Sequence, residues 1–217
     1  MSKDSILVLS GGLDSVTMLY EYRDRIACAV TFDYGSNHSK KEIAFAKWHC
    51  KKLGVEHIVI RLDFIKKIFH SSLLQGGEAI PEGRYDEDNM RSTVVPFRNG
   101  IMLSAAVGLA DDRGCDYVML ANHAGDHAIY PDCRDEFIDA MNEAAQAGTY
   151  NKVRIFAPYT DITKANIVSR GAKLGVDYSK TWSCYKGKRY HCGKCGTCTE
   201  RIEAFELAGV KDPTIYK

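Results

Sequence analysis

Apolar positions along this 217-residue chain fall into two alternating patterns. The first is the short solid run: Ile6-Leu7-Val8-Leu9, IACAVTFD over 26–33, HIVIRL over 57–62, YVMLA over 117–121 and VRIFA over 153–157. Runs of this length predict strands of a buried, parallel sheet. The second is apolar residues three and four apart, which predicts helices over about 16–23, 40–53, 99–111, 135–147 and 163–174. Ser39-Lys40-Lys41-Glu42 reads as a capping box at a helix start, and Gly54, Gly148 and Gly175 stand where helices should stop. The alternation predicts an α/β fold, a parallel sheet of five strands flanked by helices. Residues 71–92 interrupt it as a long, polar, Gly-rich loop, and loops of that length are more often functional than idle.

The first strand runs directly into Ser10-Gly11-Gly12-Leu13-Asp14-Ser15. A buried strand that ends in Ser-Gly-Gly and enters a helix turns backbone N–H groups toward an anion, with no Cβ in the way at the glycines. Ser10 and Ser15 add hydroxyl donors, and Asp14 is a carboxylate suited to Mg²⁺ or to capping the helix. The spacing is neither that of a Walker A loop nor GxGxxG. It resembles the PP-loop (SGGxDS) of ATP pyrophosphatases, which adenylate a substrate and release pyrophosphate. The plain alternative is a Gly-rich turn with Asp14 as its cap.

Composition adds bounds. Hydrophobic residues at 45% and charged residues at 26% describe an ordinary globular domain. A formal net charge of +1 offers no electrostatic footprint for a nucleic acid, so a small nucleotide partner is expected. With no signal-peptide pattern before Ile6 and no apolar run near membrane-spanning length, a cytoplasmic protein without membrane contact is expected. Eight cysteines in that setting point to metal ligands or core thiols rather than disulfides.

Cys184, Cys192, Cys195 and Cys198 put four thiols within fifteen residues, and Gly193 and Gly196 give the Cys-x2-Cys turns their backbone freedom. Four thiolates close the shell of a structural Zn²⁺ site, and Lys186, Lys188, Arg189 and Lys194 offset its charge. An iron–sulfur cluster is the rival. It is disfavoured because Thr199-Glu200-Arg201 follows Cys198 where ferredoxins continue to a further Cys and Pro. Cys28 and Cys115 read as core, and Cys50 as a helix residue without a partner. Cys133, between Asp132 and Arg134, reads either as a packed thiol or as a nucleophile.

Three further segments carry chemistry. In Val95-Pro96-Phe97-Arg98-Asn99-Gly100, Asn99 is an N-cap or a ligand, and Arg98 is a fork for carboxylate or phosphate. Asn122-His123-Ala124-Gly125-Asp126-His127 follows the fourth strand directly, where open α/β sheets bind ligands. Tyr130-Pro131-Asp132-Cys133-Arg134 gathers groups suited to a flat, hydrogen-bonding heterocycle. Lys164 opens a helix and either faces solvent or reaches a phosphate. Asp33 either bonds a nucleotide or caps the turn to Gly35, and His38 and Glu42 are equally open.

Taken in order, SGGLDS, FDYGSNHSKKEIAFA, VPFRN, GDHAIYPDCR, Ser183-Cys184-Tyr185 and CGKCGTC followed by Arg201 and Ala204-Phe205 span essentially the whole chain. Together they resemble the 7-cyano-7-deazaguanine synthase family of queuosine precursor biosynthesis. Two positions depart: Leu13, where the family often has Gln, and Phe97, where Gly is common. The resemblance implies a Rossmann-like, five-stranded parallel sheet of the adenine nucleotide alpha hydrolase kind. It implies an ATP-binding unit over 1–180 and a small C-terminal zinc-binding segment over 181–217. The implied activity is a carbon–nitrogen ligase that converts 7-carboxy-7-deazaguanine, ammonia and ATP into the 7-cyano compound through an acyl-adenylate and an amide, in a homodimer.

By the same resemblance Leu9, Ser10, Gly11, Gly12, Leu13, Asp14, Ser15, Val16, Thr17, Met18 and Leu19, with Asp33, hold ATP beside Mg²⁺. Asp14, Arg98, Lys164 and Asp132 serve catalysis, and Asn99, Asp126, Tyr130, Asp132 and Arg134 hold the deazapurine. Residues 71–92 are expected to close over the site. The rivals are another PP-loop adenylating enzyme, acting on tRNA or attaching a deazaguanine to protein, and a non-catalytic nucleotide-binding zinc module.

Overall fold

The computed structural model describes residues 3–217; Met1, Ser2 and the side chain of Glu87 lie outside the described residues. Strand β1 (Ser5–Val8) leads into helix α1 (Leu13–Glu21), followed by β2 (Ile26–Asp33), α2 (Ser39–Leu53), β3 (Glu56–Arg61) and α3 (Asp63–Ile68). The chain continues through α4 (Glu87–Met90), α5 (Arg98–Asp112), β4 (Tyr117–Met119) and α6 (Asp135–Gly148). It ends with β5 (Arg154–Phe156), α7 (Lys164–Lys173) and α8 (Gly196–Ala208). The five strands are parallel, in the order β3-β2-β1-β4-β5. The chain winds outward from β1 to β3 and then returns to lay β4 against the other side of β1. That reversal opens a crevice at the carboxyl ends of β1 and β4, where sheets of this kind bind ligands.

Successive strand side chains point to opposite faces, so the solid apolar runs supply two cores at once. Ile6 and Val30 pack with Leu103 and Ala106 of α5 on one face. Leu7, Leu9 and Ala29 pack with Val16 and Leu19 of α1 and with Ile167 and Val168 of α7 on the other. Strand β3 is an edge, and its exposed Glu56 and Arg61 discourage further pairing there.

Several local expectations are corrected. Helix α1 starts at Leu13, so Asp14 and Ser15 already belong to its first turn, and Gly12 is the N-cap without any side-chain cap. The capping box at Ser39 is absent: Ser39 is helical, His38 stands at the N-cap, and Glu42 turns its carboxyl toward His38 instead. Asn99 is likewise inside its helix, behind Phe97 as N-cap. Phe97 has φ +53°, the left-handed region that favours glycine, which gives a physical reason for glycine being common there in the resembling family.

Helices α3 and α8 were not expected from the sequence. The Gly-Thr-Cys-Thr start of α8 carries no helical apolar period, yet its Ala204 and Phe205 join the core beneath α1 and α7. Residues 71–92 include α4 and the start of a turn of 3₁₀ helix over Arg91–Thr93, and the segment is tied down at several points. Glu82 bridges to Cys195, Gly83 N–H donates to the Lys194 carbonyl, and the Ser72 hydroxyl donates to the Ser92 carbonyl. Among the described residues no helix is long and apolar enough to cross a membrane.

Candidate active site

A cavity of about 210 Å³ opens at the β1/β4 crevice. Its floor is the turn after β1. Gly11 has φ +80°, and a Cβ there would lie 2.3 Å from the Glu42 carbonyl oxygen, so only glycine lets α2 approach the loop this closely. The Ser10 and Ser15 hydroxyls lie 2.9 Å apart, Gly12 N–H donates to Ser10 Oγ, and Ser10 N–H donates to Ser15 Oγ. The C-terminal segment braces the same loop, because Trp182 N–H donates to the Gly11 carbonyl at 3.1 Å.

One end of the cavity is built around Lys164. Its ammonium lies 2.5 Å from Glu200 Oε2 and 3.5 Å from Asp14 Oδ2. Burial works against its charge, but Asp14, Glu200 and Asp126 outweigh that and hold its pKa above the ordinary value. Burial likewise opposes the Asp126 carboxylate, but His123, Lys164 and the Tyr85 hydroxyl hold its pKa below the usual range. Tyr85 Oη donates to Asp126 Oδ1 at 2.9 Å. Asp14 Oδ1 is buried and has no hydrogen-bond partner among the described residues.

The other end is built around Arg98. Its guanidinium donates to Tyr34 Oη at 3.3 Å and lies 5.9 Å from the centre of the Tyr130 ring. Among the described residues no carboxylate lies within ion-pair distance of it; burial works against its charge, but Tyr34, Asp132, Tyr185 and Tyr130 outweigh that and hold its pKa above the ordinary value. Tyr130, Tyr185 and Thr93 link their hydroxyls at 3.1 Å each, which fixes an aromatic wall. His38 stacks on Tyr185 with ring centres 5.4 Å apart, and its Nε2 lies 3.5 Å from Glu42 Oε1. Burial raises the Glu42 carboxyl to about 8, against the pull of Arg98, and lowers His38 to about 4.

The structure therefore gathers Leu9, Ser10, Gly12, Leu13, Asp14, Ser15, Arg98, Asn99, Asp126, Tyr130 and Lys164 around one cavity. It does not bring every expected residue there. Gly11 backs onto α2, while Val16, Thr17, Met18 and Leu19 are buried within α1. Asp33 caps its turn by accepting from Gly35 N–H at 3.2 Å. Asp132 lies behind the wall and accepts from Asn99 N–H at 2.8 Å, which fixes the start of α5 and so the aim of Arg98. Arg134 donates to the His127 carbonyl and also stands outside the cavity. The Leu13 side chain is buried in the apolar layer.

Other cavity residues carried no assigned role in the sequence reading: Tyr34, Tyr85, His123, Trp182 and Tyr185 arrive from four separate segments. Glu200, from α8, reaches Lys164 only through tertiary packing. Cys133 is buried, accepts from Asn99 Nδ2 at 3.1 Å and has its thiol pKa pushed up by burial, the opposite of an activated nucleophile. The four C-terminal cysteines converge, with all four Sγ atoms within 4.8 Å of one another. Tetrahedral Zn–S bonds of about 2.3 Å place sulfurs about 3.8 Å apart, so this cluster fits a zinc ion.

A family model described as queuosine biosynthesis protein QueC matches residues 4–209. A protein of Porphyromonas gingivalis named 7-cyano-7-deazaguanine synthase is 61% identical, covering 99% of this chain and 98% of the other. Proteins of the same name from Desulfotalea psychrophila and Methanoregula boonei are 48% and 47% identical, each covering 98% of this chain and 98% and 99% of their own lengths. Among solved structures, NMN synthetase from Francisella tularensis shares the fold, with a TM-score of 0.54 at 14% identity over 97% of this chain and 79% of that one.

Proposed function

The chain belongs to the QueC family of queuosine biosynthesis proteins, and from that membership we propose that it is a 7-cyano-7-deazaguanine synthase. On this reading it is an ATP-dependent ligase that builds a nitrile from 7-carboxy-7-deazaguanine and ammonia. A carboxylate resists attack by ammonia because it is anionic and has no good leaving group. ATP converts it to an acyl-adenylate as pyrophosphate departs, and ammonia then displaces AMP to give the amide. A second ATP activates the amide oxygen, and departure of AMP leaves the nitrile. One site serves both rounds because each activates an oxygen on the same carbon.

The observation that supports this most is a single cavity holding both a phosphate-binding loop and a half-buried guanidinium with no ion-pair partner among the described residues. The N–H and hydroxyl groups of Ser10, Gly12 and Ser15, with Lys164, hold the ATP phosphates by electrostatic attraction. Asp14 Oδ1, lacking a partner, is the atom available to Mg²⁺. Arg98 grips the substrate carboxylate, Tyr130 and Tyr185 flank the flat ring, and Asn99 and Asp126 border it. Asp132 acts as a positioning residue through Asn99.

Cys184, Cys192, Cys195 and Cys198 hold Zn²⁺ as a structural centre of the segment 181–217, carried on the ATP-binding unit 1–180. Elemental analysis of a colourless protein should return one zinc; a brown protein would reinstate the iron–sulfur reading. The reading carries with it a cytoplasmic homodimer, which light scattering checks. Incubation with ATP, Mg²⁺, ammonium and the carboxy-deazaguanine should yield AMP, pyrophosphate and the nitrile by mass spectrometry. AMP without nitrile would reassign the acceptor, and no AMP would leave a nucleotide-binding module.

A further inference from the structure

Nitrile formation sheds protons, and one acid–base group in the cavity is free to take them. In the second round the amide oxygen bonds to the α-phosphorus of ATP while pyrophosphate leaves, and the nitrogen gives up one proton to become C=N–H. The C–O bond then breaks, AMP leaves with that electron pair, and the second N–H proton departs to give C≡N. No electrons change hands, but two protons need an acceptor beside the nitrogen.

Most carboxylates of the cavity are already engaged. Asp14 and Glu200 hold Lys164, and Asp126 holds Tyr85. Asp132 caps α5 from outside the cavity. Glu42 differs: among the described residues its carboxyl has His38 Nε2, at 3.5 Å, as its one ion-pair neighbour. Its position is also distinctive. Its backbone packs on Gly11 of the phosphate loop, while its carboxyl stands within the electrostatic reach of Arg98. It therefore lies between the loop that holds phosphates and the guanidinium suited to the reacting carboxyl group.

We propose that Glu42 is the proton acceptor for the substrate nitrogen, its half-buried carboxyl returning the proton to solvent in the cavity between the two losses. This inference rests on the synthase reading above. The groups facing Glu42 are Arg98 from α5, Tyr34 from the segment after β2, Tyr185 stacked on His38 from the C-terminal segment, and His38 itself. Burial raises the Glu42 carboxyl to about 8, which makes its carboxylate a stronger base than an exposed one.

The test compares two partial reactions in Glu42→Gln. Nitrile formation from the amide and ATP should fall by about 10²-fold or more, the ordinary worth of a general base. Pyrophosphate–ATP exchange driven by the carboxy substrate has no N–H proton to lose and should fall less than about tenfold. In the wild type, nitrile formation should climb with pH through about 8, and Glu42→Gln should lose that rise. An equal loss in both partial reactions, or a nitrile rate with the wild-type pH profile, overturns the proposal. Should Glu42→Gln lose its zinc and its fold, Glu42→Asp decides: a nitrile rate that still rises with pH supports the proposal, and a flat profile overturns it. A wild-type protein that makes no nitrile from the amide, yet exchanges pyrophosphate, brings down the synthase reading itself.

Discussion

The two ends of the cavity each hold one half-buried cation and treat it in opposite ways. Lys164 is surrounded by Asp14, Glu200 and Asp126, three carboxylates against one ammonium. Arg98 has a tyrosine hydroxyl and aromatic faces, and no carboxylate within ion-pair distance among the described residues. A half-buried cation with no carboxylate in ion-pair contact among the described residues leaves a place for an anionic ligand at Arg98. A cation outnumbered by carboxylates marks a place for further positive charge, and a metal-bound nucleotide supplies it. The same charge type thus prepares one end for a carboxylate and the other for phosphate with its cation.

Breaking the compensated end should have the largest effect. Lys164→Met leaves three carboxylates facing one another; pyrophosphate release should fall by at least about 10³-fold and stability by about 3–5 kcal/mol. Chemical denaturation checks the second figure, and adding Glu200→Gln should recover part of the stability and none of the activity. At the open end, Arg98→Met should raise KM for the carboxy substrate by roughly 10- to 100-fold, the worth of one charge-assisted hydrogen bond. The uncharged amide should lose less. Equal losses for acid and amide would show that Arg98 does not read the carboxylate.

A pH titration of stability sharpens the same comparison. Glu42 binds its proton more tightly in the folded state, its pKa rising from 4.5 to about 8, so its contribution is lost as pH climbs through that interval. His38 moves from 6.5 to about 4 and acts with opposite sign below about 6.5. Between pH 6.5 and 8 the Glu42 effect stands alone, and the wild type should lose about 2 kcal/mol relative to Glu42→Gln. The smallest effect belongs to Phe97→Gly. Relief of the left-handed backbone, about 1 kcal/mol, opposes loss of the edge contact with Phe137, about 1 kcal/mol. Stability should shift by less than about 1 kcal/mol, and KM for the carboxy substrate should change if Phe97 stiffens Arg98.

Legibility in the sequence followed the range of the interactions. The strands were clear because Ile6–Leu9 and residues 26–33 are apolar on both faces, a pattern that neighbours reinforce. Ends of elements were less clear: Ser39–Glu42 has the letters of a capping box, but the approach of α2 to Gly11 winds the helix one residue earlier. Asp132 and Arg134 looked like ligands because they flank Tyr130. A turn of 3₁₀ helix over Pro131–Cys133 points Asp132 backward to Asn99 while Tyr130 faces the cavity. Nothing in the local sequence marks that turn's direction.

By itself, the sequence determined the parallel α/β class, the phosphate loop behind β1 and the four thiols of the C-terminal segment, because each is written in residues close along the chain. The family resemblance rests on the same short motifs. Only the tertiary structure decided that Glu200 meets Lys164, that no carboxylate among the described residues comes within ion-pair distance of Arg98, and that His38 and Glu42 stand between Arg98 and the phosphate loop. Those relations join residues separated by tens of positions, and their charge states follow from burial. Burial is a property of the packed molecule that no stretch of sequence carries alone.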